Sequence, residues 1–174
     1  MNTPVTFHPT TRAAFVIVAI GACFAPSAAA QHEHHGNPEA AIGGVLDALH
    51  QAASDADFDK YFALYADEAV FLGTDSTERW TIDEFKAYTK PRFEGGGGWT
   101  YKSTQRDIAI SQDGNTAWFD ELLWNANLGT CRGSGVLVKV GNDWKVSQYN
   151  LSIPIPNDLA RGVVDMIRET GGGE

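Results

Sequence analysis

Apolar residues recur at helical spacing in the first half of the chain and alternate with polar residues in the second half. The first half predicts three helices: one after an N-cap at Asn37, a short one after Asp57, and one that opens on the Thr81–Glu84 capping box. The apolar run Ala69–Leu72 predicts a strand between the second helix and the third. This half is therefore predicted to be mainly helical.

The second half, residues 99–152, predicts four consecutive strands joined by tight turns. Hairpin turns are indicated at Asp113-Gly114-Asn115 and Gly141-Asn142-Asp143, and a weaker turn at Leu128-Gly129. Prolines end the last strand, and residues 158–174 predict a final helix with a frayed tail. Helices followed by such a meander predict an α+β fold, in which a curved antiparallel sheet wraps around N-terminal helices and forms a cone with a central pocket.

The first 30 residues have the pattern of a signal peptide. A short apolar stretch follows Arg12, and Ala28-Ala29-Ala30 forms a small-residue cleavage site. The apolar stretch is shorter than the roughly 20 residues that a membrane span requires. The mature protein is therefore expected to be periplasmic or secreted, with cleavage after Ala30. A lipoprotein acylated at Cys23 is the alternative.

The charge of the chain excludes two classes of partner. Loss of the signal peptide removes Arg12 and no acidic residue, so the formal net charge changes from −9 to −10 with neutral histidines. A domain this acidic has no footprint for nucleic acid or for an anionic membrane surface. Cys131 is the one cysteine left, which excludes an internal disulfide and leaves a buried thiol or an intermolecular bridge.

Residues 31–37 form a short polar leader that carries His32, His34 and His35. Short histidine tracts bind metal ions, so one interpretation is a metal-collecting tail. The other is a disordered leader that is rich in histidine. Because no second ligand cluster lies nearby to fix a coordination geometry, we expect no metal site.

Two neighbouring acids, Asp120 and Glu121, lie on opposite faces of the predicted strand 116–127. Whichever faces inward places a carboxylate among apolar residues, where burial raises its pKa and makes it a candidate proton carrier. The alternative is an acid that pairs with Arg106 or Arg132 across the sheet and only satisfies charge.

Several other residues are candidates for a ligand pocket. The last strand places Gln148 and Asn150 on the same face as Trp144, so that this face changes from apolar to polar along its length. The polar loop before the third helix ends in Arg79-Trp80, a pair that suits an anionic group and a stacked ring. The predicted ligand-binding set is Tyr61, Phe71, Arg79, Trp80, Trp118, Arg132, Gln148 and Asn150.

A histidine base is not expected. No histidine follows His50, which lies in the middle of the first predicted helix and is interpreted as a satisfied or exposed residue. The sequence therefore shows no recognisable Ser-His-Asp or Cys-His catalytic set.

Four segments, taken in their order along the chain, resemble a known protein family. These are Tyr65–Leu72 after the helix pair, Glu78-Arg79-Trp80 before the third helix, Ala117-Trp118-Phe119, and the closing Trp144–Ser152. They resemble the SnoaL-like branch of the nuclear transport factor two-like superfamily, whose fold is a cone-shaped α+β barrel. The resemblance covers roughly residues 38–157.

The resemblance implies a pocket but not one function. The superfamily includes ketosteroid isomerases, polyketide cyclases, dehydratases and many proteins without catalysis. It implies a base aspartate at the end of the first strand, which Asp75 replaces if the loop is shifted, and a tyrosine donor that Tyr61 or Tyr65 supplies. Where many relatives carry histidines on the last strand, this chain has Gln148 and Asn150, which bind but do not titrate.

The sequence therefore predicts an exported domain that binds a small, partly apolar molecule in its pocket without a cofactor. One alternative is an enzyme of isomerase, dehydratase or cyclase type. Its candidate catalytic residues are Asp120, Glu121 and Asp75 as proton carriers and Tyr65 as oxyanion donor. The other alternative is a non-catalytic homodimer that pairs through the outer sheet face, for which an outward set of Tyr149, Leu151 and Ile153 is predicted.

Overall fold

The computed structural model describes residues 37–171 as four helices and six strands. In chain order these are α1 (Pro38–Ser54), α2 (Phe58–Ala63), β1 (Tyr65–Leu72), β2 (Arg79–Thr81), α3 (Ile82–Glu94), β3 (Lys102–Ile110), β4 (Thr116–Asn125), β5 (Gly129–Val140), β6 (Asp143–Ser152) and α4 (Asn157–Glu169). The predicted signal peptide and nearly all of the His-rich leader lie outside the described residues.

The three N-terminal helices begin where their capping residues predict. The Asn37 side chain accepts a hydrogen bond from the Glu39 backbone N–H at 3.0 Å, and the Asp57 side chain accepts one from the Lys60 N–H at 3.1 Å. At α3 the capping box is complete, because the Thr81 N–H also donates to the Glu84 carboxylate at 2.8 Å.

The six strands form one curved, unclosed sheet in the order β2-β1-β6-β5-β4-β3. The predicted antiparallel meander is β3 to β6, and the predicted α+β fold is confirmed. Two details differ from the sequence prediction: β1 joins β6 in parallel, and the short strand β2 pairs with the end of β1. Helix α1 packs on β3 and β6, while α3 packs on β1 and β2.

The pairing of β6 with β5 is interrupted at one point by an extra residue on β6. Val136 lies opposite Gln148, but the next residue, Leu137, lies opposite Val146. Ser147 therefore has no counterpart on β5, which is the geometry of a β-bulge. Before the bulge the even-numbered side chains of β6 face the helices, and after it the odd-numbered side chains do.

The bulge decides which residues of β6 reach the interior. Trp144 is buried before it and Tyr149 after it, whereas Gln148 is exposed. Uninterrupted alternation predicts that Gln148 and Asn150 share the face of Trp144, and the bulge makes this prediction wrong. The predicted outward set is wrong for two of its three members, because Tyr149 is only 4% exposed and Leu151 is half-buried, whereas Ile153 is 42% exposed.

The core lies between the sheet and the three N-terminal helices. It is rich in aromatic side chains and includes Cys131, whose free thiol is fully buried. Helix α4 contributes nothing to this core, since none of its residues is buried and four of its apolar side chains are 41–59% exposed: Leu159, Val164, Met166 and Ile167. None of the helices in residues 37–171 has the length and apolar character that a membrane crossing requires.

Candidate functional site

A cavity of about 150 Å³ lies between the sheet and the helices. Its walls are mainly aromatic and include Tyr61, Phe71, Trp80, Phe85, Tyr88 and Trp99. Helix α1 supplies His50 to the wall, β6 supplies Tyr149 and Leu151, and the loop after β1 supplies Thr74 and Glu78. The cavity is therefore lined by an apolar interior with a few polar groups.

Most of the aromatic rings on the cavity wall are nearly parallel. Phe71 stacks on Phe85 with centroids 4.0 Å apart and an angle of 14°, and Trp80 stacks on Tyr88 at 4.6 Å and 23°. The Trp80 and Phe85 rings differ in orientation by 8°, and the Tyr88 and Trp99 rings by 6°. Parallel rings present flat faces, so the walls favour a flat ligand that continues the stack.

Trp99 reaches this wall through the glycine run that precedes β3. The Trp99 backbone N–H donates to the Ala53 carbonyl oxygen at the end of α1 at 2.8 Å. A Cβ at Gly98 would collide with the backbone carbonyl oxygens of Ala53 and Ser54. The glycine run, interpreted from sequence as a linker, thus permits a close contact that holds Trp99 in place.

The Glu121 carboxylate lies behind the polar part of the wall. Its side chain has no exposed surface, and it accepts hydrogen bonds from His50 Nε2 at 2.7 Å and the Tyr149 hydroxyl at 3.1 Å, both to Oε1. The Arg106 Nε donates to Oε2 at 2.9 Å, with Nη2 at 2.8 Å in an ion-pair contact. The inward-facing acid of the pair is therefore Glu121, and its partner across the sheet is Arg106.

The ionisation of Glu121 differs from the simple expectation. Burial alone would raise its pKa, but the hydrogen bonds from His50 and Arg106 and the positive charge of Arg106 outweigh burial and hold the pKa below its usual range. The predicted rise is therefore wrong, because the arginine that the alternative interpretation named is within reach. For Tyr149, burial and the adjacent Glu121 charge raise the pKa well above its ordinary value.

Arg106 ties this network to helix α1. Its Nη1 donates to the Asp47 carboxylate at 2.8 Å and to the Gly43 carbonyl oxygen at 3.2 Å. Gly43, Asp47 and His50 are spaced four and three residues apart, so they form one stripe on the same face of the helix. The stripe lies beside the buried positions of α1 and faces the sheet.

Gly133 makes room for the contact between Tyr149 and Glu121. It lies on β5 between Glu121 of β4 and Leu151 of β6. A Cβ at this position would overlap the Tyr149 hydroxyl and crowd the Glu121 side chain. The absence of a side chain at Gly133 therefore allows Tyr149 to reach across one strand to the carboxylate.

The two candidate tyrosines, Tyr61 and Tyr65, form a second buried hydrogen-bonded pair. The Tyr61 and Tyr65 hydroxyls lie 2.9 Å apart, and either oxygen can donate. Tyr61 lines the cavity, whereas Tyr65 lies behind it in the core. Desolvation raises the pKa of both hydroxyls above the ordinary tyrosine value, so both stay protonated at neutral pH.

The four predicted catalytic residues do not come together on the cavity wall. Asp120 is exposed on the outer face of β4, and Asp75 lies in the exposed loop after β1. The Asp75 carboxylate is occupied by the Thr77 N–H and hydroxyl at 2.8 and 2.6 Å. Glu121 and Tyr65 are both buried behind the wall. None of these four side chains therefore lines the cavity.

Three of the eight predicted ligand-binding residues line the cavity: Tyr61, Phe71 and Trp80. The other five lie elsewhere. Arg79, Arg132 and Gln148 are exposed, Trp118 is 52% exposed on the outer face of β4, and Asn150 is half-buried away from the cavity wall. The prediction for these five is wrong because Arg79, Trp118 and Arg132 occupy outward positions in the alternation. The bulge moves Gln148 and Asn150 off the inner face.

Three residues that shape the site were not predicted from the sequence as site residues: His50, Tyr149 and Trp99. The spacing of His50 from Leu46 is one helical turn, so position alone places it at the edge of the buried stripe. No comparable signal exists for Tyr149, because its orientation depends on a bulge. Trp99 depends on the close approach of Gly98 to α1, which no local pattern specifies.

The described residues offer no metal centre. Nowhere in residues 37–171 do three or more His, Cys, Asp or Glu side chains come together to hold a metal ion.

The sequence profile of one protein family, described as a SnoaL-like domain, matches residues 42–156, which is more than half of the chain. Among curated proteins, none matches the chain. The matched span runs from the first buried residue of α1 to the residue before α4. It therefore contains every residue that lines the cavity.

Solved structures share the fold at low identity. An NTF2-like (nuclear transport factor two-like) protein of unknown function from Pseudomonas putida KT2440 is 18% identical, with a TM-score of 0.57 over 69% of this chain and 89% of that one. An NTF2-like protein from Cytophaga hutchinsonii ATCC 33406 is 18% identical, with a TM-score of 0.57 over 68% and 100%. A protein of unknown function with a cystatin-like fold from Nostoc punctiforme PCC 73102 is 12% identical, with a TM-score of 0.55 over 67% and 90%. These likenesses concern the fold alone.

Proposed function

The chain belongs to the SnoaL-like domain family, and on that premise we propose that it binds a small, flat, partly apolar molecule in the cavity between its sheet and its helices. The observation that carries this proposal is the set of nearly parallel aromatic rings around the cavity. Stacked rings bind flat apolar molecules by dispersion and by burial of apolar area.

The size of the cavity limits the ligand. An apolar cavity of about 150 Å³ holds a molecule the size of benzene, and this cavity has a comparable volume. One ring, or two fused rings that extend towards the rim at Thr74 and Leu128, fits this space. The polar groups of such a ligand would meet His50 and Tyr149, because these side chains bring nitrogen and oxygen to an otherwise aromatic wall.

The two alternatives are less well supported. A carboxylate shuttle needs an acid that contacts the ligand, yet Asp75 and Asp120 are exposed and Glu121 lies behind the wall. A pure interaction module predicts a pocket filled by its own side chains, whereas this protein has an open cavity of about 150 Å³. Ligand binding is therefore the function that accounts for most of the site.

Binding is tested with flat probes of matched size: indole, 1-naphthol and acetophenone. Trp80 and Trp99 line the cavity, so a bound ring changes tryptophan fluorescence, and a titration gives Kd. Tyr88→Ala removes one stacked wall and should weaken binding about tenfold, which corresponds to about 1.4 kcal/mol.

Trp118→Ala is the matched control for this titration. Trp118 is 52% exposed and Tyr88 is 51% exposed, but only Tyr88 lines the cavity. The control should leave Kd unchanged within about twofold, as expected of a distant site. Equal losses in the two variants, or no saturable binding of any probe, would contradict the proposal.

Two further parts of the proposal concern the whole protein. We propose export with cleavage after Ala30, which rests on the sequence pattern of residues 1–30. We also propose a homodimer through the outer sheet face, on different residues from the predicted set. Trp118 and Trp124 are 52% and 53% exposed on β4, and aromatic side chains of this kind are typical of protein interfaces.

A further inference from the structure

Among the described residues that line the cavity, Glu78 is the one with an acidic side chain. It lies just before β2, which runs antiparallel to β1 and places Trp80 opposite Phe71 on the wall. The same pairing continues two residues further, where the Gly73 N–H donates to the Glu78 carbonyl oxygen at 2.8 Å. Because alternate residues share a face, the Glu78 side chain lies on the inner face with Trp80.

Gly73 leaves room for the Glu78 carboxylate on this face. A Cβ at Gly73 would collide with Oε2 of Glu78, so the carboxylate occupies the inner-face position that a larger residue would fill. Oε2 accepts the Asp75 N–H at 3.2 Å, and the Glu78 N–H donates to the Asp75 carbonyl oxygen at 3.0 Å. The loop thus fixes the carboxylate at the cavity wall, and Oε1 accepts no hydrogen bond from residues 37–171.

The described part of the wall contains no lysine or arginine that would balance this charge. Arg79 is exposed on the opposite face of β2, and Arg92 lies 5.3 Å from the Trp99 ring centroid without lining the cavity. His50 does line it, but its Nε2 is paired with the Glu121 carboxylate at 2.7 Å. The cavity therefore presents a carboxylate without a cationic partner, in a chain whose formal net charge is −9.

The aromatic rings beside Glu78 also favour positive charge. The face of an aromatic ring is the negative part of its quadrupole, so a cation over that face is attracted to it. Neighbouring rings in one group on the wall differ in orientation by no more than 23°: Trp80, Phe85, Tyr88 and Trp99. A flat cation stacked on these rings would gain apolar burial, attraction to the ring faces and attraction to the carboxylate.

We infer that the ligand of this cavity is a small flat organic cation, such as an N-alkylated pyridinium or a protonated aromatic amine, whose positive nitrogen lies beside the Glu78 carboxylate. The inference rests on the proposed binding function and names the chemical class of the ligand. A neutral ring of the same shape gains burial and stacking without the attraction between charges, and an anion is repelled by Glu78. The cavity should therefore select by charge among ligands of similar size.

The experiment compares three one-ring probes of similar size: N-methylpyridinium, toluene and benzoate. N-methylpyridinium and toluene have the same shape and differ in charge, so the ratio of their Kd values isolates the effect of charge. Proton–nitrogen NMR titrations give each Kd, and the indole N–H signals of Trp80 and Trp99 report binding at the cavity wall. Wild-type protein should bind N-methylpyridinium about tenfold more tightly than toluene, and benzoate most weakly.

Glu78→Gln removes the charge and keeps a carbonyl oxygen that can accept the Asp75 N–H. It should reduce the preference for N-methylpyridinium over toluene to within about twofold, with Kd for toluene unchanged. Glu68→Gln is the matched control, because it makes the same change in net charge at an exposed position of β1 that does not line the cavity. This control should keep the preference of the wild type.

A preference for the cation that is lost in Glu78→Gln and kept in Glu68→Gln supports the inference. Wild-type protein that binds toluene at least as tightly as N-methylpyridinium overturns the inference and leaves the binding function intact. A preference that both variants keep, or that both lose equally, does the same. Absence of saturable binding of these three probes and of indole, 1-naphthol and acetophenone overturns both.

The salt dependence of Kd in wild-type protein gives a test that does not depend on the folding of a variant. Added salt screens the attraction between charges, so Kd for N-methylpyridinium should rise several-fold between about 0.01 and 0.15 M salt. Kd for toluene should not rise over the same range. An equal response of the two probes would overturn the inference.

Discussion

At the scale of single residues, the most consequential side chain is Glu121. It is 1% exposed, yet it keeps its charge because His50, Arg106 and Tyr149 all donate to it. Each donor comes from a different element, so the carboxylate connects α1, β3 and β6 through one buried point. Buried charges are tolerated when they are paired in this way and are costly when a partner is lost.

Glu121→Gln should lower the free energy of unfolding at pH 7 by about 3 kcal/mol, because the charge of Arg106 loses its buried partner. The pKa of Glu121 is lowered by folding, so its contribution is complete above the unfolded pKa of about 4.3 and is lost as the pH falls through the folded pKa. The difference between wild type and variant should therefore shrink on acidification. Urea unfolding at pH 7 and below pH 4 measures it.

Asp120→Asn is the matched control for this stability prediction. This acid is adjacent in sequence but exposed, so its replacement should change the free energy of unfolding by no more than about 0.5 kcal/mol. A loss in Asp120→Asn equal to that in Glu121→Gln would contradict the burial argument.

At the scale of elements, local signals predicted the helices and turns, and non-local contacts decided the site. The caps at Asn37, Asp57 and Thr81 depend on residues within one turn, so the sequence specifies them. The bulge at Ser147 depends on how β6 fits against both β1 and β5, which alternation along one strand does not encode. This is why the predicted orientation of Gln148 is wrong.

Helix α4 provides a prediction at this scale. None of its residues is buried, so a chain that ends after Pro156 should unfold with a free energy within about 0.5 kcal/mol of wild type. Thr81→Ala is the contrasting change, since it removes the cap of a helix whose residues Ile82 and Phe85 are in the core, and it should cost about 1 kcal/mol.

Chemical denaturation compares the two changes directly. A larger loss from removal of α4 than from Thr81→Ala would mean that the helix packs against the domain in solution.

At the scale of the whole molecule, the curved sheet has two faces with different roles. Its inner face and the helices enclose the cavity, and its outer face exposes Trp118 and Trp124. Light scattering should give the mass of a dimer for the wild type and that of a protomer for the double variant Trp118→Glu/Trp124→Glu, because charges at an apolar interface are costly. A wild-type protomer at the highest soluble concentration would contradict the dimer.

Native mass spectrometry of the protein purified from the cells that make it tests the ligand pocket most directly. We predict a bound organic molecule of one or two rings on the wild type and on Trp118→Ala. Occupancy should be much reduced on Trp80→Ala, whose ring stacks on Phe85 and Tyr88 at the cavity wall. A protein that carries no small molecule, or one that retains it equally in both variants, would contradict the claim that this cavity is the binding site.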